Sequence, residues 1–390
     1  MAPPEPAVPG IHWFLPTNGD GAHFANSHLP RPDAPAPGTR PPSLDYLRLV
    51  VRATEQAGFD AIMLPVASGF EDPWLVAAAL AADVPRLRFL LTHRPGTELP
   101  GYVMQKCATL EALAPGRLLL HLVSGSSAFE QKSLGDHLDH DARYARTAEF
   151  VQLLRALWAG RGQDHRGRYY RGDAPCLPTP ITPMPPLCFG GASPMAEHIA
   201  AAQAQVYVMW GEPPAQIRQR IARMQRLARG HGRALRFGLR LHVFAAPTAG
   251  QAWAHVQRLV ADLPAGVIHA AQDQIEAYDS VGQRRQNRLL QGRGHGVREL
   301  EVSPNLWAGV GLARGGAGTA LVGSYDQVAA RIGEYRAMGV DHFILSGYPH
   351  LEQAIHLGEQ LLPRLRAFGV ASKTPPSSTR RRGPSDLCLG

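Results

Sequence analysis

Residues 12–20 read His-Trp-Phe-Leu-Pro-Thr-Asn-Gly-Asp, and this stretch discriminates between two folds that otherwise suit the chain. Residues 12–16 are apolar and aromatic, which predicts a buried β-strand. A doubly wound dinucleotide-binding sheet needs a glycine-rich turn after its first strand. The turn here, Pro16-Thr17-Asn18-Gly19-Asp20, contains a single glycine and is not glycine-rich. The stretch therefore favours an α/β barrel over a doubly wound sheet.

The rest of the chain alternates strand-like and helix-like segments. Strands are predicted at residues 12–16, 60–66, 88–93, 117–124, 187–190, 205–210, 236–245 and 342–346. Helices are predicted at residues 43–57, 72–82, 100–113, 143–159, 195–203, 213–230, 249–262, 325–338 and 351–367. Eight strands, each followed by a helix, are the number that closes a (β/α)8 TIM barrel.

The chain is predicted to consist of a flexible leader, one barrel domain and a disordered basic tail, at residues 1–10, 11–367 and 368–390. Two insertions interrupt the barrel, at about 162–186 and 264–323. The second insertion lies between strands seven and eight and is much longer than an ordinary connection. Because its segment Gly309–Gly318 is rich in glycine, we expect a long mobile loop there.

Composition and targeting signals indicate a cytoplasmic protein. Hydrophobic residues make up 45% of the 390 residues, enough for a large core. The longest apolar run, Trp74–Ala82, is too short to span a bilayer, so no membrane association is expected. The first residues lack the basic and apolar regions of a secretion signal.

The formal net charge of +8 raises the possibility of nucleic-acid binding. The positive residues are almost all arginines spread along the chain, without an interleaved aromatic platform, so we expect no nucleic-acid partner. The four cysteines lie far apart, and the chain contains no HExxH motif. No metal site is therefore predicted.

Arg240 and His242 interrupt an otherwise apolar strand. Side chains alternate between the two faces of a strand, so both point one way while Leu239, Leu241 and Val243 point the other. A buried guanidinium beside an imidazole is costly to desolvate without an anion or a polar ligand. The pair therefore predicts a functional site.

Two helix starts are candidates for binding a phosphate. Gly190 and Gly191 allow close approach of the backbone, Ser193 is a good N-cap, and Pro194 suits the first helical position. Such a start presents free N–H groups to an anion, although an ordinary capped turn is the alternative. His140 and Tyr144, four residues apart, share one face of another helix start, where plain capping by the preceding aspartate is the alternative.

Further candidates lie at the rim where barrel enzymes carry out their chemistry. Arg314 lies between glycines in the second insertion, where a planar charged donor suits a lid that clamps an oxyanion; a solvated arginine is the alternative. Tyr348 and His350 follow the last strand and share the rim with Arg240 and His242. A tyrosine packed on a helix start and a solvated histidine are the alternatives for that pair.

With these residues placed, the chain resembles the FMNH2-dependent alkanesulfonate monooxygenases, which belong to the bacterial luciferase-like flavin barrels. The resemblance extends from about Ile11 to Ala367. Its most specific stretches are Trp13–Thr17, Tyr207–Pro214, Arg236–Val243, Ser303–Gly323 and Leu345–Leu351.

The resemblance implies an enzyme that uses reduced FMN and O2 to convert an alkanesulfonate to an aldehyde and sulfite for sulfur metabolism. A separate NAD(P)H-dependent FMN reductase would supply the reduced FMN, and relatives are often homodimers or tetramers. The resemblance places active-site roles on Arg240, His242, Arg314, Trp210, Tyr348 and His350. It places the FMN phosphate near His140, Tyr144, Gly191 and Ser193, with Thr92 and Ser124 beside the flavin ring.

One departure and several alternatives remain. Relatives carry a cysteine just before the Glu-Asp pair that follows strand two, and Phe70 stands there in this chain. Within the class, we expect small linear or aryl-alkyl sulfonates as substrates, and a narrower substrate, methanesulfonate or a sulfone, is the alternative. Outside it, the barrel also suits a deazaflavin-dependent oxidoreductase or a non-catalytic protein that binds FMN.

Overall fold

The computed structural model describes residues 10–21, 24, 39–159, 164–173, 184–294, 296–367 and 369. The predicted leader and tail lie outside these residues, apart from Gly10 and Gly369. Eight parallel strands form the centre: β1 (Gly10–Phe14), β2 (Ala61–Leu64), β3 (Arg88–His93), β4 (Leu118–Val123), β5 (Leu187–Gly190), β6 (Val206–Trp210), β7 (Arg236–Ala246) and β8 (Val340–Ser346). Each strand pairs with the next, and β8 pairs with β1. The predicted TIM barrel is confirmed.

Helices surround the barrel. They are α1 (Leu44–Ala57), α2 (Pro73–Leu80), α3 (Pro100–Leu113), α4 (Ala128–Ser133), α5 (His140–Trp158), α6 (Pro194–Gln203), α7 (Pro214–Gly230), α8 (Ala249–Ala261), α9 (Ala265–Glu276), α10 (Val281–Leu290), α11 (Tyr325–Ala337), α12 (His350–Gln360) and α13 (Leu362–Ala367). The last predicted helix, 351–367, is in fact two helices that meet at Leu361. Among the described helices, none has both the length and the apolar character to cross a bilayer.

The alternation predicted for the seventh strand is present in β7. Leu239, Leu241 and Val243 belong to the buried apolar layer between the strands and the helices. Arg240 and His242 point the opposite way and bond Ser346 of the neighbouring strand β8. The strand therefore brings a guanidinium and an imidazole into the barrel interior.

The second insertion differs from the loop that the sequence predicts. It contains the helices α9 and α10, two 3-10 turns and the short strands Glu301–Ser303, Leu306–Trp307 and Ala320–Ser324. The last of these strands pairs in parallel with the second half of β7, from His242 to Ala246. β7 has eleven residues, so its far half extends beyond the barrel wall and gives the insertion an edge to pair with.

The glycines of the insertion serve close packing. Gly311 donates its backbone N–H to the carbonyl of Gly318 at 3.0 Å. A Cβ atom on Gly318 would lie 3.0 Å from the Cα of Gly311, so the two backbone segments meet where side chains would not fit. A glycine-rich stretch predicts a loop, but here it permits the contact of two buried segments. In the first insertion, the predicted hairpin is present as His165–Arg166 paired with Arg171–Gly172.

Candidate active site

An open cavity lies at the carboxyl ends of the barrel strands. Its apolar lining includes Phe14, Met63, Pro65, Val66, Val123 and Val208. Its polar and aromatic lining includes Thr92, Arg94, His121, Ser124, Tyr144, Trp210, Arg240, Tyr278 and Arg314. The insertion forms one side of this cavity, because Tyr278, Ser280, Gly282 and residues 314–317 all belong to it.

Arg240 brings a buried positive charge to the cavity wall. Its guanidinium donates hydrogen bonds to the carbonyl of Leu241 at 2.7 Å and to the Ser346 hydroxyl at 2.9 Å. It also stacks over the Phe14 ring, with 4.7 Å from Cζ to the ring centroid. Burial and the neighbouring Arg314 lower the pKa of Arg240 to about 9. Both effects oppose the charged form, and a bound anion would relieve them.

The predicted lid residue Arg314 is buried beside Arg240. Its guanidinium donates a hydrogen bond to the Tyr348 hydroxyl at 2.7 Å and lies 5.6 Å from the centroid of the Phe14 ring. The two arginines therefore share one aromatic platform on one wall. The alternative of a solvated arginine does not hold, because Arg314 is only 5% exposed.

The acidic side chains of the lining are paired with other arginines. Glu130 accepts a hydrogen bond from Arg94 at 3.2 Å, and Glu212 accepts one from Arg220 at 2.5 Å. These ion pairs offset charge at other parts of the cavity. The wall at Arg240 and Arg314 therefore has positive character, which suits an oxyanion.

His242 is completely buried behind this wall and is absent from the cavity lining. Its Nδ1 lies 2.7 Å from the Ser346 hydroxyl, and its Nε2 lies 3.0 Å from the carbonyl of Ala317. Tyr348 stacks on its ring, with centroids 5.6 Å apart and planes inclined by 19°. Burial, followed by the charges of Arg240 and Arg314, lowers the pKa of His242 well below its usual value.

Tyr348 and His350 also lie behind the wall. His350 is buried and its Nδ1 is paired with Asp20 at 2.8 Å, so it is not the solvated histidine of the alternative. Its backbone N–H donates to the same carboxylate at 2.7 Å. Asp20 further accepts a hydrogen bond from Tyr46. The structure thus joins five of the six predicted active-site residues in one cluster; the sixth, Trp210, lines the cavity nearby.

The predicted phosphate region also lies on this cavity, at the start of α6. Ser193 caps α6 by accepting a hydrogen bond from the backbone N–H of Ala196 at 3.2 Å, and Gly191 and Tyr144 line the cavity in front of it. A Cβ atom at Gly191 would lie 2.7 Å from the Cβ of Ala196 and 2.9 Å from the Tyr144 hydroxyl. Only glycine leaves this cradle open. The His140 ring packs against Tyr144, with centroids 4.8 Å apart and planes inclined by 54°, but His140 does not itself line the cavity.

Thr92 and Ser124, at the ends of β3 and β4, also line the cavity, together with His121, a residue that the sequence does not single out. His121 is buried, and its Nε2 has no hydrogen-bond partner within the described part of the chain. A Cβ atom at Gly190 would lie 3.0 Å from this nitrogen, so the glycine leaves it room. A signal is nevertheless present, because His121 is the one polar side chain in the apolar strand 118–123.

The cavity therefore fits a flavin nucleotide. The open cradle in front of α6 suits a phosphate, since the first turn of a helix offers free N–H groups. The apolar side chains suit a flat aromatic ring, and His121 Nε2 offers it an otherwise unsatisfied polar atom. No group of three or more histidine, cysteine or acidic side chains arranged to hold a metal ion occurs among the residues described.

A closed parallel barrel with a polar cavity at its carboxyl rim defines the class of TIM-barrel enzymes. Within that class, the chain belongs to the luciferase-like monooxygenase family, whose sequence profile matches residues 11–342. These are flavin-dependent oxidoreductases, which agrees with the cavity described above.

Solved structures share this fold. A riboflavin lyase crystallised with modified FMN and riboflavin has a TM-score of 0.74 and 21% identity, over 96% of this chain and 94% of that one. An EDTA monooxygenase from Chelativorans sp. BNC1 has a TM-score of 0.70 and 19% identity, over 96% and 97%. A coenzyme F420-dependent tetrahydromethanopterin reductase from Methanopyrus kandleri has a TM-score of 0.63 and 15% identity, over 92% and 100%. At these identities the likeness is one of fold.

Proposed function

We propose that the protein is an FMNH2- and O2-dependent monooxygenase that converts alkanesulfonates to an aldehyde and sulfite. The observation that carries the proposal is the pair of buried guanidinium groups, Arg240 and Arg314, on one wall of the cavity. A sulfonate is a weakly basic anion with three acceptor oxygens, and guanidinium groups match such an anion better than a single point charge does.

The remaining lining would hold the cofactor. The cradle formed by Gly191 and Tyr144 in front of α6 would take the phosphate of reduced FMN, and Thr92, His121 and Ser124 would contact its ring. When bound, reduced FMN supplies the two electrons that activate O2. One oxygen atom enters the aldehyde and the other leaves as water, while the carbon–sulfur bond breaks and sulfite carries away its electron pair.

The protein's own contribution is to orient the substrate and to exclude water. Arg240 and Arg314 would fix the sulfonate, which directs the adjacent carbon toward the ring site between Thr92 and Ser124. Apolar residues such as Met63 and Val66 would contact the alkyl chain and keep water away from the reacting carbon.

The proposal includes partners. Reduced FMN would come from a separate NAD(P)H-dependent FMN reductase, as the resemblance to two-component monooxygenases implies. As in relatives of the resembled family, we expect a homodimer or homotetramer.

Three alternatives accompany the proposal. A deazaflavin-dependent oxidoreductase is favoured by one observation, namely the F420-dependent reductase that shares this fold. A non-catalytic FMN-binding protein would use the same cradle, but this function would give Arg240 and Arg314 no role. Within the class, the third alternative is methanesulfonate or a sulfone; methanesulfonate would occupy less of the apolar lining than octanesulfonate.

The test is the release of sulfite in air from octanesulfonate, FMN, NADH and a flavin reductase. Sulfite should appear only in the complete mixture, and omission of FMN or of O2 should abolish it. A panel from methanesulfonate to decanesulfonate, with a sulfone beside it, identifies the substrate within the class. No sulfite from any sulfonate, with turnover of reduced deazaflavin instead, would replace the proposal by its first alternative.

A further inference from the structure

A buried hydrogen-bond chain runs from Arg240 through Ser346 and His242 to the Ala317 carbonyl, in the segment that carries Arg314. Ser346 lies in β8 in direct register with His242 in β7. The Ser346 hydroxyl lies 2.9 Å from the Arg240 guanidinium and 2.7 Å from His242 Nδ1. All three side chains are 5% exposed or less.

The donors and acceptors of this chain fix its proton positions. A guanidinium only donates, so Ser346 accepts from Arg240 and directs its own proton to His242 Nδ1. A backbone carbonyl only accepts, so His242 Nε2 carries a proton and donates it to Ala317 at 3.0 Å. Every bond is satisfied at once by a neutral imidazole protonated on Nε2.

The same imidazole also contacts two groups that position Arg314, namely the Ala317 carbonyl and the Tyr348 ring. Ala317 follows Arg314 by three residues, so the bond to its carbonyl anchors the segment that carries this arginine. Tyr348 stacks on the other side of the chain and accepts a hydrogen bond from Arg314 at 2.7 Å. His242 therefore contacts Ser346, which accepts a hydrogen bond from Arg240. It also contacts Ala317 and Tyr348, which help to position Arg314.

We propose that His242 and Ser346 are positioning residues that act as an uncharged bracket and set the spacing of the Arg240 and Arg314 guanidinium groups for a three-oxygen anion. This inference rests on the proposed function, because it takes the arginine pair as the sulfonate site. It assigns Ser346 a role that the sequence does not indicate. It also gives His242 a role other than proton transfer.

Two features oppose proton transfer by His242. Both ring nitrogens already have partners inside the protein, and the side chain lies behind the wall rather than in the cavity lining. The groups that face it are Arg240 from β7, Arg314 from the insertion, Ser346 and Tyr348 from the end of β8, and His350 from α12. Two of these neighbours are guanidinium groups, whose positive charge disfavours protonation of the imidazole.

The test compares His242→Gln with His242→Ala. A glutamine amide presents an acceptor and a donor about as far apart as the two ring nitrogens, and it does not titrate. We expect His242→Gln to turn over within about tenfold of the wild-type rate with the same pH profile, while His242→Ala raises KM for octanesulfonate roughly 10- to 100-fold. In His242→Gln, a loss of turnover rate of about 100-fold or more at unchanged KM would overturn the bracket and indicate proton transfer.

Ser346 provides an independent test. Ser346→Ala removes the link to Arg240 and should raise KM for octanesulfonate roughly 10- to 100-fold, with little change in kcat or in FMN affinity. Ser346→Thr retains the hydroxyl and should restore most of the lost affinity. If Ser346→Ala lowers kcat and FMN affinity along with sulfonate affinity, the residue has a general structural role and the inference fails.

Binding of inorganic sulfate separates this inference from the proposed function. Sulfate affinity, measured by calorimetry on the flavin-free protein, should fall in Ser346→Ala and recover in Ser346→Thr. If the wild type releases no sulfite but sulfate binding follows this order, the bracket stands and the proposed substrate is wrong. If sulfite is released but sulfate binds equally to all variants, the substrate stands and the bracket is wrong.

Discussion

At the scale of single residues, the site depends on two cations that are buried side by side in one wall of the cavity. Desolvation of a guanidinium is unfavourable, and a second guanidinium nearby makes it more so. The fold tolerates the pair because Phe14 lies under both and because Ser346 and Tyr348 accept hydrogen bonds from them. Phe70 packs edge-on against Phe14, with ring centroids 6.4 Å apart, and so supports the same platform.

Removal of one charge should weaken the anion site without unfolding the protein. For Arg314→Gln we expect kcat/KM for octanesulfonate to fall roughly 10- to 150-fold, the loss typical of a charge-assisted contact of about 1.5–3 kcal/mol. The melting temperature should barely change, because the variant also removes a repulsion with Arg240. Arg288→Gln, an exposed arginine of the same insertion, is the matched control. A large drop in melting temperature with unchanged kinetics would mean that Arg314 is structural.

At the scale of elements, helix α10 fixes the segment that carries Arg314. Gln283 and Gln286 are three residues apart on one buried face of α10. Their side-chain oxygens accept the backbone N–H groups of Gly316 at 2.8 Å and Gly318 at 3.0 Å. Gln286 also donates to the carbonyl of Gly211 at the end of β6. The helix thus holds the glycine-rich segment against the barrel.

Removal of the hydrogen bond from Gln286 should make the segment around Gly318 more mobile. In Gln286→Leu, the Gly318 amide loses its acceptor inside a buried site, so its hydrogen exchange should accelerate at least about tenfold. We expect kcat/KM to fall about tenfold as well, because Arg314 loses its fixed position. Arg288→Ala on the exposed face of α10 serves as the control for both measurements. Equal exchange in variant and control would show that the segment is held by its own packing, and rapid exchange in the wild type would support the mobile loop that the sequence predicts.

At the scale of the whole molecule, the barrel contains several buried neutral histidines. Burial is the first cause that lowers the pKa of His12, His93, His121, His242 and His342, to about 4 for His121 and about 3 for His93 and His342. His12 and His342 lie together at the amino-terminal end of the barrel, with 3.0 Å between their ring nitrogens. Each of these rings binds its proton more readily in the unfolded chain than in the folded one.

Stability should therefore fall as the pH drops from about 6.5 toward 5. The folded-state pKa values are depressed, so the contribution of each histidine is fully present above the unfolded value of about 6.5 and is lost below it, by up to about 1.4 kcal/mol per pH unit. Buried carboxyls with a lowered pKa, such as Asp20, change the stability only below about pH 4, which is outside this window. Melting temperatures across the window should fall less in His342→Gln than in the wild type, whereas exposed His231→Gln should match it. A flat profile in the wild type would contradict this explanation.

How much the sequence predicts depends on the range of the interactions. The eight strands, most helices and the inward pair Arg240 and His242 follow from local periodicity, which a strand or helix shows by itself. The helices α4, α9 and α10 and the strand Ala320–Ser324 are not predicted, because they fall in the connections and the second insertion, outside the regular strand–helix alternation. Ser346 could not be singled out, because a lone serine at a strand end is ordinary until His242 and Arg240 are seen beside it.

The order of residues along the chain is enough to establish the barrel and the end of the strands that carries polar groups, because alternation and element order encode these directly. The family is indicated only by the resemblance of specific stretches of sequence. Three-dimensional packing is needed to show that Arg314 is buried beside Arg240, that His242 lies behind the wall with both nitrogens bonded, and that His121 opens onto the cavity. The contacts of Arg314 and His242 form between β7, β8 and the second insertion, which are far apart in sequence. Burial and hydrogen-bond partners depend on such long-range contacts, so a local sequence pattern cannot predict them.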